Sequence, residues 1–272
     1  FTNPWLWPSY LHNQAGSLIT SSFFVAAVGA FYLLSNKHSR FGKIFVKSGV
    51  VFGVVASILV AFPTGDWAAK NVVKHQPATF AAMEGIFETE KGGSEIVLIG
   101  QPDMENKKLD NKIAVPNILS FLTYQRWDAE IKGLNEFDES IHPTNVPGLY
   151  YGYHIMVGLG TIFIGIMVLA AFLLWKGRLY KTKWLLWILM FMIPFPYIAN
   201  TAGWYTAELG RQPWLVYNLM RMVDGVSPTV SSGNTLFTLL GFVGLYLLLG
   251  LLFLLLVLKI IRKGPEAKIA LK

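Results

Sequence analysis

The chain has 272 residues, 53% of them hydrophobic and only 14% charged, with a mean hydropathy of +0.46. Soluble domains carry about a quarter charged residues, so this deficit, concentrated in long apolar runs, marks an integral membrane protein. Cysteine is absent, which excludes disulfides, iron–sulfur clusters and thiolate metal sites, and the net charge of +7 sits at span ends rather than in a nucleic-acid-binding pattern.

The chain opens on Phe1 with no signal-peptide pattern ahead of the first apolar run, which fits a processed chain or a part of a longer protein. Five segments are long and apolar enough to cross a hydrocarbon core, which takes roughly 20 helical residues. They cover 11–35, 44–62, 150–175, 184–204 and 233–261. The expectation is an all-α integral membrane protein of about five transmembrane helices. It divides into a helical pair over 1–62, a polar loop over 63–149 and three helices over 150–272.

Basic residues set the expected orientation. Lys37, Arg40, Lys43 and Lys47 lie between the first two spans, and Lys176, Arg178, Lys181 and Lys183 between the third and fourth. Lys259, Arg262, Lys263, Lys268 and Lys272 follow the fifth. If the helices alternate, all three clusters fall on one side, which the positive-inside rule makes cytoplasmic, together with the C-terminus. The loop 63–149 then lies on the outer side of a cell membrane. It holds 13 of the 16 acidic residues against eight Lys and Arg. Its mixed pattern reads as a partly ordered extramembrane segment, with short helices, rather than an independent domain.

Few residues are candidates for chemistry. His38 sits in a basic turn, and His75 and His142 lie in the loop without ligand-like spacing. His12 enters the first span at its outer end. Met156 lies about two turns into the third, which runs the same way, so the two share one depth. A His and a Met on neighbouring helices at one level can hold a haem iron from both faces, although Met is equally a common core filler. Past the fourth span, Asn200-Thr-Ala-Gly-Trp-Tyr-Thr-Ala-Glu-Leu-Gly-Arg-Gln-Pro-Trp214 places Glu208 and Arg211 among Trp204, Tyr205 and Trp214. An aromatic belt with a snorkelled pair explains that composition. A carboxylate for iron or protons, with an Arg for haem propionates, explains it as well.

Gly210-Arg-Gln-Pro-Trp214, with Ala202-Gly-Trp204 and Ala207-Glu208 ahead of it, resembles the signature of subunit I of cytochrome bd-type quinol oxidases. Tyr10-Leu-His12, Gln76-Pro-Ala-Thr-Phe-Ala-Ala-Met-Glu84, Val146-Pro-Gly148, His154-Ile-Met-Val-Gly158 and Arg262-Lys-Gly-Pro-Glu266 occur in the family's order. The resemblance covers nearly the whole chain, matched to about the last five of the family's roughly nine spans. It implies that His12 and Met156 are the axial ligands of a low-spin haem b. Glu208 matches a carboxylate at a second, high-spin haem b or haem d, shared here with a partner chain that supplies the missing N-terminal helices. Trp204 matches a tryptophan between haem centres and Arg211 an arginine near propionates, with Gln212 and Trp214 in the same motif. The loop corresponds to the quinol-binding loop, and Glu84 to a carboxylate of quinol oxidation. A second oxidase subunit and membrane lipid are further implied partners.

Two positions depart from the family pattern. Thr79 stands where a Lys is usual beside the critical Glu, and His154 stands where an Arg is usual, two residues before the ligand Met. A neutral His154 would lower the potential of the neighbouring haem, whereas a protonated one would not. Three functional readings follow. The first is a haem-binding subunit of a bd-like terminal oxidase, moving electrons from quinol toward reduction of oxygen to water. The second is a b-haem electron-transfer subunit of another redox complex, and the third a haem-free scaffold or transporter.

Overall fold

The computed structural model describes residues 2–265, so Glu266, Lys268 and Lys272 of the C-terminal basic run lie outside the described residues. The fold is an all-α membrane bundle with a structured loop packed on one end. Helix α1 (Leu6–Leu34) and helix α2 (Ser39–Leu59) form a tight antiparallel pair. Small residues make that approach possible: a Cβ placed on Gly49 would lie 2.6 Å from the Ala26 amide nitrogen, and one on Gly29 would lie 2.6 Å from that of Val46. Such close contact between backbones replaces the hydrophobic drive that lipid removes.

The second apolar segment runs further than its sequence suggests. A single wide turn over Val60–Gly65, broken at Phe62 and Pro63, leads directly into α3 (Asp66–His75). Helix and turn together extend over Ser39–His75. Pro63 lacks the amide that would continue the ladder, which accounts for the break. Helix α4 (Pro77–Glu84) starts on its proline and stops at Gly85, whose φ of 73° closes the helix in the left-handed region.

The loop contains more than the short helices read from the sequence. Strands β1 (Ile96–Asp103) and β2 (Lys108–Val115) pair antiparallel, with Asp103 opposite Lys108 at the turn. Asp103 organises that turn by accepting the amides of Glu105 and Asn106 at 2.9 and 3.0 Å. Helix α5 (Ile118–Tyr124) follows the hairpin, and two single 3₁₀ turns lead to α6 (Val146–Trp175). Asn145 caps α6 by accepting the Gly148 amide at 2.9 Å.

The fourth crossing is a bent pair rather than one straight helix. Helix α7 (Lys183–Phe191) and helix α8 (Pro194–Arg211) meet at 41°, where Pro194 and Pro196 interrupt the pattern. A small hairpin of β3 (Trp214–Val216) and β4 (Met220–Arg221) precedes α9 (Ser232–Lys263). Four helices are therefore long and apolar enough to span, and the bent pair makes five. Compared with the sequence reading, α1, α2 and α6 start four or five residues earlier and α8 runs seven residues further.

Two cores organise the molecule. Phe23, Val50, Phe163, Met167, Leu185 and Leu189 join α1, α2, α6 and α7 inside the bundle. Phe80, Met83, Phe87, Leu119, Leu149 and Leu209 join the loop to the adjoining ends of α6 and α8. The loop is thus fixed to the bundle by its own apolar core. Helix α9 has no buried residue, and its far end touches α1 where the Tyr32 hydroxyl donates to the Ile261 carbonyl at 2.9 Å.

Candidate functional site

Helix α8 sets the level of the two proposed ligands. On one side, Asn200 donates to the Thr20 hydroxyl at 2.8 Å and toward the Gly16 carbonyl at 3.3 Å, pinning α8 to α1. Gly16 is one turn below His12. On the other side, a Cβ at Gly203 would fall 2.6 Å from Met156 Sδ, so the thioether packs directly against the glycine and would have to move for any larger residue. Gly203 is one turn nearer the loop than Asn200. Stepping about one turn (roughly 5 Å) toward the loop from that contact reaches His12 along α1 and Gly203 along α8.

This arrangement fits a haem held by one axial ligand from each helix. The imidazole and the thioether are both half-buried, and the sulfur packs against Gly203. His12 Nδ1 faces the Thr64 hydroxyl at 3.3 Å. Among the described residues no group of three or more His, Asp and Glu could hold a bare metal ion.

The other singled-out residues divide into separate groups. Trp204 and Glu208 are one turn apart on α8, on a face turned away from the contact between Gly203 and Met156, and Trp204 is 62% exposed. Glu208 pairs with Arg211, whose Nη1 also reaches toward the Leu215 carbonyl at 3.5 Å. Gln212 accepts a hydrogen bond from Thr144. Trp214 packs under the Arg221 guanidinium at 5.1 Å, with its buried indole nitrogen lacking a partner among the described residues. These residues form a polar rim that is open on the Trp204 side.

His154 takes a different direction from Met156. Two residues on a helix stand about 200° apart around its axis, so the two side chains leave α6 on nearly opposite faces. The His154 ring lies over Tyr150, with Nε2 3.2 Å from the Val97 carbonyl of β1 and Nδ1 2.9 Å from the Tyr150 carbonyl. In this structure His154 ties the loop hairpin to α6.

Glu84 lies at the centre of the loop core. It is 2% exposed, and its Oε1 has no partner among the described residues. Tyr153 of α6 shares a hydrogen bond with the carboxyl. Tyr150 of α6 packs against Gly85, and its buried hydroxyl also lacks a partner. Burial pushes the Glu84 carboxyl up to about 7, and the Tyr153 hydrogen bond acts against that rise. A carboxyl tuned near neutrality can accept a proton and later release it. Beside it, Thr79 donates to the Gly210 carbonyl at 2.7 Å in a buried contact, joining α4 to the end of α8. The hollow on the loop surface lined by Glu88, Lys91, Glu130, Lys132 and Glu136 involves none of these groups.

Sequence reasoning passed over Thr64, Tyr150, Tyr153, Asn200 and Gly203. Asn200 carried a signal, since a polar amide within an apolar span is costly unless used. Gly203 stood inside the Ala202-Gly-Trp204 motif without a role of its own, and the two tyrosines had no signal, because such roles depend on which helix faces them.

The family model described as "Cytochrome bd terminal oxidase subunit I" matches residues 1–265. Cytochrome bd ubiquinol oxidase subunit 1 of Bacillus subtilis is 35% identical over 97% of this chain and 58% of its own length. A putative cytochrome bd menaquinol oxidase subunit I from the same organism is 31% identical, over 97% of this chain and 59% of its own. The structure of bd oxidase from Geobacillus thermodenitrificans matches with a TM-score of 0.83 at 27% identity, covering 97% of this chain and 59% of that one. The chain therefore spans less than two thirds of the length of these relatives.

Proposed function

The chain belongs to the cytochrome bd terminal oxidase subunit I family, and from that premise we propose that it is the haem-binding part of a quinol-oxidising terminal oxidase, acting with further helices from a partner chain and with a second oxidase subunit. The observation that supports this reading is that Asn200 joins α8 to α1 about one turn from His12, while Gly203 of the same helix packs against the Met156 thioether. A haem b bound between them would supply one-electron transfer at a raised potential.

The chain's own residues account for the proton side of the reaction. Oxidising a quinol to a quinone releases two electrons and two protons. Glu84, buried and near neutrality, is suited to receive a proton from a quinol hydroxyl, and Tyr153 orients its carboxyl. Glu84 is buried next to Met83 of the core that fastens the loop to α6, and α6 also carries Met156, so the proposed donor and haem sites are joined through one helix. With the basic clusters on the cytoplasmic side, the loop faces outward and the protons leave there. Glu208 and Trp204 present an open face of α8 where a second haem, b or d, would be completed by helices of the partner chain. Arg211 holds the Glu208 carboxylate and offers its remaining N–H groups to propionates.

A second reading, an electron-transfer subunit without oxygen chemistry, is favoured by Thr79. The residue that stands in place of the family's usual Lys is committed to the Gly210 carbonyl and brings no charge to the loop site. Oxygen uptake by the purified complex with tetramethylhydroquinone as donor separates the two. Sustained, inhibitor-sensitive uptake is the expected result. Haem reduction by the quinol without oxygen uptake would favour the second reading.

A further inference from the structure

The wide turn at the end of α2 bears directly on His12. In a regular helix the Leu59 carbonyl would accept the amide of residue 63, but residue 63 is Pro63 and has no N–H. The Thr64 hydroxyl takes that place, donating to the Leu59 carbonyl at 2.7 Å, with the Val60 carbonyl 3.3 Å away. Its single proton is therefore committed to the backbone. What the oxygen presents to His12 Nδ1, 3.3 Å away, is a lone pair, which only an N–H can meet. The Val60 carbonyl faces the same ring as a second acceptor. The Thr64 contact thus favours the tautomer with its proton on Nδ1, leaving the lone pair on Nε2, the nitrogen free to bind a metal.

We propose that Thr64 is the positioning residue of the His12 ligand, holding its Nδ1–H and so fixing the ring's tautomer and orientation for coordination through Nε2. The inference rests on the reading that His12 holds haem b. A hydrogen bond to the far nitrogen makes an imidazole a stronger donor and favours the oxidised iron; removing such a partner typically weakens metal binding by roughly 10–100-fold.

The test uses Thr64→Val and Thr64→Ser in the full complex, with haem content by pyridine haemochrome and midpoint potential by redox titration. Valine keeps the shape and removes the acceptor. The expected result is weaker haem retention and a more positive midpoint in Thr64→Val, with both restored in Thr64→Ser. An unchanged midpoint and haem content in Thr64→Val would overturn the inference, as would equal shifts in both variants, which would assign the effect to packing of the methyl group. His12→Ala distinguishes the underlying reading: if that variant keeps a low-spin haem, His12 is not the ligand whatever Thr64 does.

Discussion

Replacing Glu84 by Gln should stabilise the folded protein above neutral pH while abolishing quinol oxidation. In the unfolded chain the carboxyl titrates near 4.5, and burial raises it to about 7 in the fold. Between those values the folded chain keeps a proton that the unfolded chain has lost. Stability therefore falls as pH rises through that window and levels off above it. At about 1.4 kcal/mol per pH unit, the loss reaches roughly 3 kcal/mol by pH 8. Gln has the same shape and never ionises, so Glu84→Gln escapes this penalty. An imperfectly paired amide near Tyr153 would subtract about 1 kcal/mol at every pH. Thermal unfolding of the detergent-solubilised complex at pH 5 and pH 8 reads the difference. The variant should gain on the native protein between the two pH values while losing quinol-driven haem reduction. An identical stability difference at both would refute the claim that burial holds Glu84 near neutrality.

Other substitutions address the packing that positions the site. Gly203→Val should displace the Met156 thioether, because the added carbon would stand 2.6 Å from the sulfur. Overpacking of that kind costs about 1–3 kcal/mol, and the haem absorption bands should broaden or shift; unchanged bands would remove Met156 from the site. Thr79→Val leaves the buried Gly210 carbonyl without its donor, at a cost of about 1–3 kcal/mol. A lowered melting temperature with retained haem is expected, since the contact lies outside the ligand pair. Asn200→Leu breaks the bond to Thr20, typically worth about 0.6 and up to 1.7 kcal/mol in a membrane. It should loosen α8 against α1, read as increased haem loss in detergent.

Much of the fold was legible in the sequence because lipid imposes a simple rule. A run of apolar residues long enough to cross has one regular structure available to it, and the five segments are recovered, although the fourth is bent where Pro194 and Pro196 fall. The extension of α2 through a wide turn into α3 was not legible, since Pro63 and Gly65 read as a loop start. The hairpin was hidden for a related reason. Its register shifts between Val97 and Gln101 disturb the alternation that marks a strand. His12 and Met156 were expected at one depth because both helices run in the same direction from the loop side. His154 was read as a haem-side residue because the family usually carries an Arg there; two residues along a helix reverse the direction of a side chain, and in this fold its ring meets the Val97 carbonyl. Tyr153 and Thr64 were unreadable because each acts on a partner far away in the chain.

The haem spectrum of the purified complex in His12→Ala and Met156→Ala tests the account most directly. Each substitution removes one axial ligand, so each should lose the low-spin b-type absorption and magnetic signature while the helices remain folded. A full low-spin haem complement in both variants would contradict the assignment of these two residues, and with it the proposed route for electrons through this chain.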